Sequence, residues 1–243
     1  MIKQLVYNLL SETNRENALR QLRSLEQALP SSRSRFAVPF VFRGWGHFKL
    51  IKPRQNPVEI ESLYEVVSEL KPARVLEIGT ARGGTLYLWT QAASDKAVLV
   101  SVDLPGGDFG GAYPECRMPF YQAFARSDQK LFLERADSHK PETLELIKQR
   151  FAGELIDFAF IDGDHTFEGV KLDFQEYGPL VRPGGIIAFH DILYREDQPT
   201  IRVDRLWGEL KEKYECHELV GPDGSGKRIG IGYLKVPDEG LGL

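Results

Sequence analysis

Three stretches of this 243-residue chain gather the residue types that do chemistry. Asp162-Gly163-Asp164-His165 and His190-Asp191 supply carboxylates and imidazoles, and Glu77-Ile78-Gly79-Thr80-Ala81-Arg82-Gly83-Gly84-Thr85 supplies an acid followed by a glycine-rich turn. Two carboxylates and a histidine can surround one cation. Oxygen-rich sites favour Mg²⁺, Mn²⁺ or Ca²⁺, and a histidine shifts the preference toward softer ions. A cation held there would lower the pKa of a neighbouring hydroxyl and orient it. Each residue also has a structural reading: Asp164 forms the turn before a helix, His165 orients a neighbour, and His190 bonds to backbone.

The glycine-rich turn departs from both nucleotide fingerprints. Its G-x-x-x-G-G spacing differs from G-x-G-x-x-G, and no Gly-Lys-Ser/Thr follows. Gly79 permits a sharp turn and a close approach to a ligand, and Gly83 and Gly84 expose amides at a helix N-terminus. Glu77, just before the turn, would repel a phosphate and welcome a cationic group. Asp103 lies 24 positions after Gly79, where an acid accepts the hydroxyls of a ribose. Asp137 and Ser138 follow another apolar run, in reach of a nucleobase; Asp137 alternatively caps the helix that opens at Pro141.

The elements that position these residues follow from apolar periodicity. Short apolar runs at 73–79, 97–103, 130–136, 155–162 and 186–191 predict strands. Helical patterns at 58–70, 84–93, 117–126, 141–150, 167–177 and 200–214 alternate with them, with a glycine-rich insertion at 106–115. Strand–helix repetition implies a parallel sheet with right-handed crossovers. All three chemical stretches then project from one sheet edge, the carboxyl ends of the strands. Residues 215–221 and 229–236 predict an antiparallel hairpin closed by the turn residues of Pro222-Asp223-Gly224-Ser225-Gly226-Lys227.

The segments LEIGTARGGT (76–85), FIDGDHTFEGVKLDF (160–174) and LVRPGGIIAFHD (180–191) resemble the class I S-adenosylmethionine-dependent methyltransferases. They resemble most narrowly the family of macrocin O-methyltransferase and the cephalosporin-biosynthesis methyltransferase partner, over about residues 58–236. The resemblance implies a Rossmann-like α/β fold: a seven-stranded, mostly parallel sheet with an antiparallel C-terminal hairpin and helices on both faces. It places S-adenosylmethionine (SAM) against Glu77, Gly79, Thr80, Gly83, Asp103, Asp137 and Ser138. It assigns a divalent metal, Mg²⁺ first, to Asp162, His190 and Asp191, where relatives carry two acids or an acid and an amide in place of His190-Asp191. It gives His165 the part of general base, which an ordinary imidazole pKa of ~6.5 suits. The expected reaction is metal-assisted O-methylation of a small molecule such as a sugar, a phenol or a natural-product scaffold.

Two other classes of function compete. A nicotinamide-dependent oxidoreductase or epimerase also uses a glycine-rich loop and a ribose acid, but the missing G-x-G-x-x-G and the C-terminal hairpin oppose it. A silent domain that only binds a partner is opposed by the presence of Glu77, Asp103, Asp162 and His165.

Composition sets the remaining expectations. The net charge of −4 gives no basic bias toward nucleic acid or an anionic membrane. Cys116 and Cys216 have no metal-finger spacing and suit a reducing compartment, and no leader or membrane-spanning run is evident, so the cytoplasm is expected. Residues 1–57 read as an N-terminal appendage to a domain of 58–243. Residues 1–29 form a leucine-striped helix that packs on the core, covers the site or joins a homo-oligomer. Residues 30–57, rich in Pro, Ser, Gly, aromatics and arginine, read as irregular structure, either a lid over a substrate or a connecting arm.

Overall fold

Apolar runs bounded by polar turns become the strands of one twisted sheet. The structure is a computed structural model describing residues 2–106, 113–126, 128–222 and 229–242, with side chains from residue 11 onward. Three helices, α1 (Ile2–Ala28), α2 (Ser32–Arg35) and α3 (Val38–Val41), precede the sheet. Then follow α4 (Pro57–Leu70), β1 (Arg74–Ile78), α5 (Gly84–Ala92), β2 (Val98–Val102), α6 (Met118–Gln122), β3 (Lys130–Glu134) and α7 (Pro141–Arg150). The chain continues through β4 (Ile156–Ile161), α8 (Phe167–Tyr177), β5 (Val181–His190), α9 (Val203–Lys211), β6 (Cys216–Leu219) and β7 (Ile231–Lys235).

The strand order is β3-β2-β1-β4-β5-β7-β6. Strands β1 to β5 pair in parallel, and β7 runs antiparallel between β5 and β6. The seven-stranded, mostly parallel sheet with its C-terminal hairpin is therefore as expected; most of the hairpin's turn, residues 223–228, lies outside the described residues. Side chains alternate between two cores, as strand geometry requires. Val75, Leu99, Phe158, Phe160 and Ala188 face α4, α5 and α6, while Leu76, Val100, Ala159, Ile187 and Phe189 face α7, α8 and α9.

The N-terminal residues share the first of these cores. Ala18 and Leu22 of α1 and Val38, Phe42 and Ile51 of the arm are completely buried in it. The arm is more regular than its composition suggests: Ser31 closes a capping box on α2, and residues 46–48 form a 3₁₀ turn. Strand β5 begins earlier than its apolar run, at Val181, because Pro183-Gly184-Gly185 forms an irregularity inside the strand, between the pairs Ile156–Val181 and Phe158–Ile186. The helix expected over 117–126 is shorter, a 3₁₀ turn at 115–117 followed by α6. Much of the glycine-rich insertion, residues 107–112, lies outside the described residues.

From β1 the chain moves one way to β2 and β3, and later returns to β4 on the other side of β1. The carboxyl ends of β1 and β4 thus frame the switch point of the sheet, where open α/β folds place their ligands. Among the described residues, no helix is long and apolar enough to cross a membrane.

Candidate active site

At the switch point Gly79 and Asp162 touch through their backbones. Gly79 has φ +97°, and a Cβ there would lie 2.1 Å from the Asp162 carbonyl oxygen. The Gly79 amide donates to Val102 (2.8 Å), and the Asp162 amide donates to the Ile78 carbonyl (2.8 Å). Glycine is therefore demanded first by the approach of β1 to β4. Gly83 and Gly84 answer to packing as well. A Cβ on Gly83 would lie 2.8 Å from the Tyr121 ring, and one on Gly84 would lie 2.2 Å from the Ile51 carbonyl oxygen of the arm. Both glycines are buried, under α6 and the arm.

Three cavities surround this junction. The first, about 590 Å³, is lined by Gly79, Asp103, Asp137, Ser138, His139 and Asp164, with Ile78, Val102 and Ala136 as apolar wall. The second, about 690 Å³, is lined by Arg54, Asp162, His165, His190, Asp191 and Arg195, among others. The third holds only about 20 Å³, between the arm and the glycine-rich turn. Gly79 lines the first and third, Asp162 the second and third, and Thr200 the first and second. The three spaces converge on one small region.

The expected cofactor residues divide accordingly. Asp103, only 5 % exposed, accepts a hydrogen bond from the Ala81 amide at 2.6 Å and borders the first cavity. Asp137 and Ser138 border it too; Asp137 accepts from the His139 amide (2.9 Å), and Lys140, not Asp137, occupies the N-cap of α7. Thr80 borders the small third cavity, and its hydroxyl meets that of Ser101 at 2.6 Å. Gly83 borders none of these three.

Glu77 also lies behind the cavity walls, where it accepts hydrogen bonds from Trp89 Nε1 (3.0 Å) and the Ser101 hydroxyl (2.6 Å). Burial, reinforced by Asp162 and Asp103, pushes its carboxyl up to about 8 against the hydrogen bonds of Ser101 and Thr85. The folded chain then holds a proton that the unfolded chain has released, so stability is full below the ordinary carboxyl pKa and falls as pH rises toward 8. Glu77→Gln can still accept from Trp89 and donate to Ser101, without titrating. We expect it to flatten that fall and to exceed the parent by roughly 4 kcal/mol at pH 9 in the ligand-free protein. Urea denaturation at pH 5, 7 and 9 checks this, and parallel pH profiles would contradict it.

The acids and histidines of the second cavity form a closed ring. The His190 Nδ1 proton is donated to Asp162 Oδ1 (3.0 Å), and the same nitrogen lies 3.4 Å from Asp191 Oδ2. His165 spans the other side, with Nδ1 3.2 Å from Asp191 Oδ2 and Nε2 4.0 Å from Asp162 Oδ1. Arg195 approaches Asp191 Oδ1 at 3.2 Å. Asp191 itself has φ +61°, a left-handed conformation that Asp tolerates better than most residues. Burial opposes a charge on His190, but Asp162 and Asp191 outweigh it and hold the imidazolium up to about 9. Among the described residues, the group whose ligating atoms all lie within 4.8 Å of one another is Asp162, His165 and Asp191. His165 joins the two acids in that group, and His190 lies against the same two carboxylates through Nδ1.

Two features lie outside the expected set. His139 borders the first cavity and faces Asp173 at 3.3 Å. Asp173 is completely buried, and burial raises its pKa while the imidazole opposes the rise. An acid on the apolar stripe Val170, Phe174 and Tyr177 of α8 was the available signal. Gln55 of the arm donates to Asp162 Oδ2 at 2.6 Å; nothing in its stretch of sequence marks it.

Residues 76–192 match a family model described as a methyltransferase domain. Those residues are a methyltransferase domain. A protein of Sinorhizobium fredii, y4gI, described as uncharacterized, shares 30% identity over 156 residues, 60% of this chain and 16% of that protein. The rhamnosyl O-methyltransferase of Mycobacterium tuberculosis shares 25% over 129 residues, 52% of this chain and 49% of that protein. The chain thus spans no more than about half the length of these curated relatives. Among solved structures, the methyltransferase fold is similar to an O-methyltransferase from Bacillus cereus in complex with S-adenosylhomocysteine (SAH), with TM-score 0.57, 18% identity, and 75% of this chain and 84% of that one covered. It is also similar to TomG from Streptomyces achromogenes in complex with SAM, with TM-score 0.59, 16% identity, and 85% and 89% covered.

Proposed function

We propose that this chain is a SAM-dependent O-methyltransferase that modifies a small-molecule hydroxyl with help from a divalent cation, Mg²⁺ first. The observation that carries the reading is the convergence of the three cavities on Gly79, Asp162 and Thr200. A cofactor with a nucleoside and an amino-acid end would occupy the first space and reach the small third one with its ammonium group, and an acceptor would occupy the second. The first cavity fits a nucleoside, with a carboxylate at the end of β2 and apolar walls from Ile78, Val102 and Ala136. The clustered donors of Asp162, His165 and Asp191 fit a cation. When bound, SAM supplies an electrophilic methyl group and the cation lowers the pKa of a neighbouring hydroxyl.

The chain's own residues do the rest by positioning. Asp103 holds the ribose end, with Asp137 and Ser138 beside the base. Asp162 and Asp191 hold the cation with His165 as third donor, and the His190 Nδ1 proton fixes Asp162. We assign His165 to the cation instead of the general-base part that the family pattern implies, and the proton of the cation-acidified hydroxyl would then leave to solvent through the second cavity. The arm within 1–57 walls the site of the domain over 58–243 through Arg54 and Gln55. The free thiols of Cys116 and Cys216 suit the cytoplasm we assign it to. The identity to a rhamnosyl enzyme favours a glycosyl hydroxyl over a phenol.

Calorimetric titration with SAH tests the cofactor half. One site per chain is expected. Asp103→Ala should weaken it about a hundredfold, the scale of a lost charge-assisted hydrogen-bonding group. Unchanged affinity in that variant would remove Asp103 from the cofactor site.

A further inference from the structure

Gln55 of the arm touches an acid of the candidate site. The local sequence fixes it there. Asn56 caps α4 by accepting from the Val58 amide (2.9 Å), and Pro57 opens the helix. Upstream, Ile51 and Pro53 lie so close to Gly84 that a Cβ on that glycine would stand 2.2 Å and 2.5 Å from their backbone atoms. The arm is therefore pressed on the first turn of α5, and Gln55 is 5 % exposed.

The two ends of its amide differ. Nε2 donates to Asp162 Oδ2 at 2.6 Å. Oε1 is enclosed and has no hydrogen-bond partner. A buried acceptor left unpaired is costly, so this oxygen is built to receive a donor. Gln55 also lines the cavity of about 20 Å³, with Gly79, Thr80, Thr85 and Asp162, which has room for one water-sized group. An ammonium group has that size and carries three donors, and the Asp162 carboxylate nearby favours a positive charge.

We propose that Gln55 is a positioning residue that reads the α-ammonium of the cofactor's amino-acid end through Oε1 while holding Asp162 through Nε2. Occupancy of the cofactor site and the aim of the acid are thereby joined in one side chain. This rests on the SAM reading above.

The test is calorimetry with two probes, SAH and 5′-methylthioadenosine, which lacks the amino-acid end, on the wild-type chain, Gln55→Met and Gln55→Glu. Gln55→Met, close in shape but without donor or acceptor, is expected to bind SAH about tenfold more weakly or worse, the scale of a hydrogen bond to a charged group. It should bind 5′-methylthioadenosine within twofold of wild type. Gln55→Glu keeps an acceptor and is expected to bind SAH at least tenfold more tightly than Gln55→Met. Undiminished SAH affinity in Gln55→Met, or equal weakening of both probes, would overturn the proposal. So would loss of SAH binding in Gln55→Glu to the level of Gln55→Met. A wild-type chain that binds 5′-methylthioadenosine but discriminates against SAH would overturn it and leave the nucleoside site standing, whereas one that binds neither overturns the cofactor reading itself.

Discussion

Asp162→Asn is expected to lower methyl transfer roughly a thousandfold, the scale seen when one preorganised electrostatic group is removed from a reacting centre. The change is nearly isosteric. The asparagine oxygen can still accept from His190 Nδ1, which now meets Asp162 Oδ1 at 3.0 Å, so that side of the ring keeps its shape and loses one charge, while Gln55 must turn its amide because Nδ2 replaces the oxygen it donates to. Because Asp162 borders the second and third cavities but not the first, the nucleoside end of the cofactor is untouched. Affinity for 5′-methylthioadenosine, which carries only the nucleoside end, should stay within a few-fold, while Mn²⁺ binding, read by electron paramagnetic resonance, should fall with activity. Retention of both turnover and Mn²⁺ binding would remove Asp162 from the reaction.

Gly79→Ala is expected to be severely damaging. Two costs coincide: a φ of +97° that side-chain-bearing residues rarely adopt, and a Cβ 2.1 Å from the Asp162 carbonyl oxygen. Neither backbone can yield cheaply, because Gly79 and Asp162 are both tied into the parallel ladder by amides at 2.8 Å. We expect a loss of about 3 kcal/mol or more, which for a domain of this size lowers Tm by roughly 10 °C, together with loss of SAH binding. A Tm within two degrees of wild type would show that the switch point relaxes far more easily than its geometry implies.

Both expectations rest on a junction of which the sequence reveals only half. Strand ends are legible because apolar runs stop where the backbone leaves the sheet, so Asp103, Asp137, Asp162 and Asp191 could be placed on one edge from periodicity alone. The glycines were visible, but their reason was not. A sequence shows that Gly83 and Gly84 are unusual; only the packed chain shows that Tyr121 and the Ile51 carbonyl fill the space a side chain would need. The histidines illustrate the same limit. His165 and His190 both sit at strand ends, and the choice between them as the acids' companion in a cation site depends on distances of a few ångströms that spacing cannot encode. Gln55 was hidden for a further reason. It reaches Asp162 across 107 residues of chain, from a stretch with no regular periodicity. Asp173 was within reach, since a carboxylate among Val170, Phe174 and Tyr177 breaks the apolar stripe of α8.

The account's central claim is metal-assisted methyl transfer to oxygen, and one measurement tests it most directly. The chain is incubated with methyl-labelled SAM and a set of glycosyl, polyol and phenolic acceptors, once with Mg²⁺ and once with excess chelator. The account predicts label recovered as a methyl ether with Mg²⁺, and its loss by at least a hundredfold with chelator and in Asp162→Asn. Transfer undiminished by chelator, or label found only on nitrogen, would contradict it.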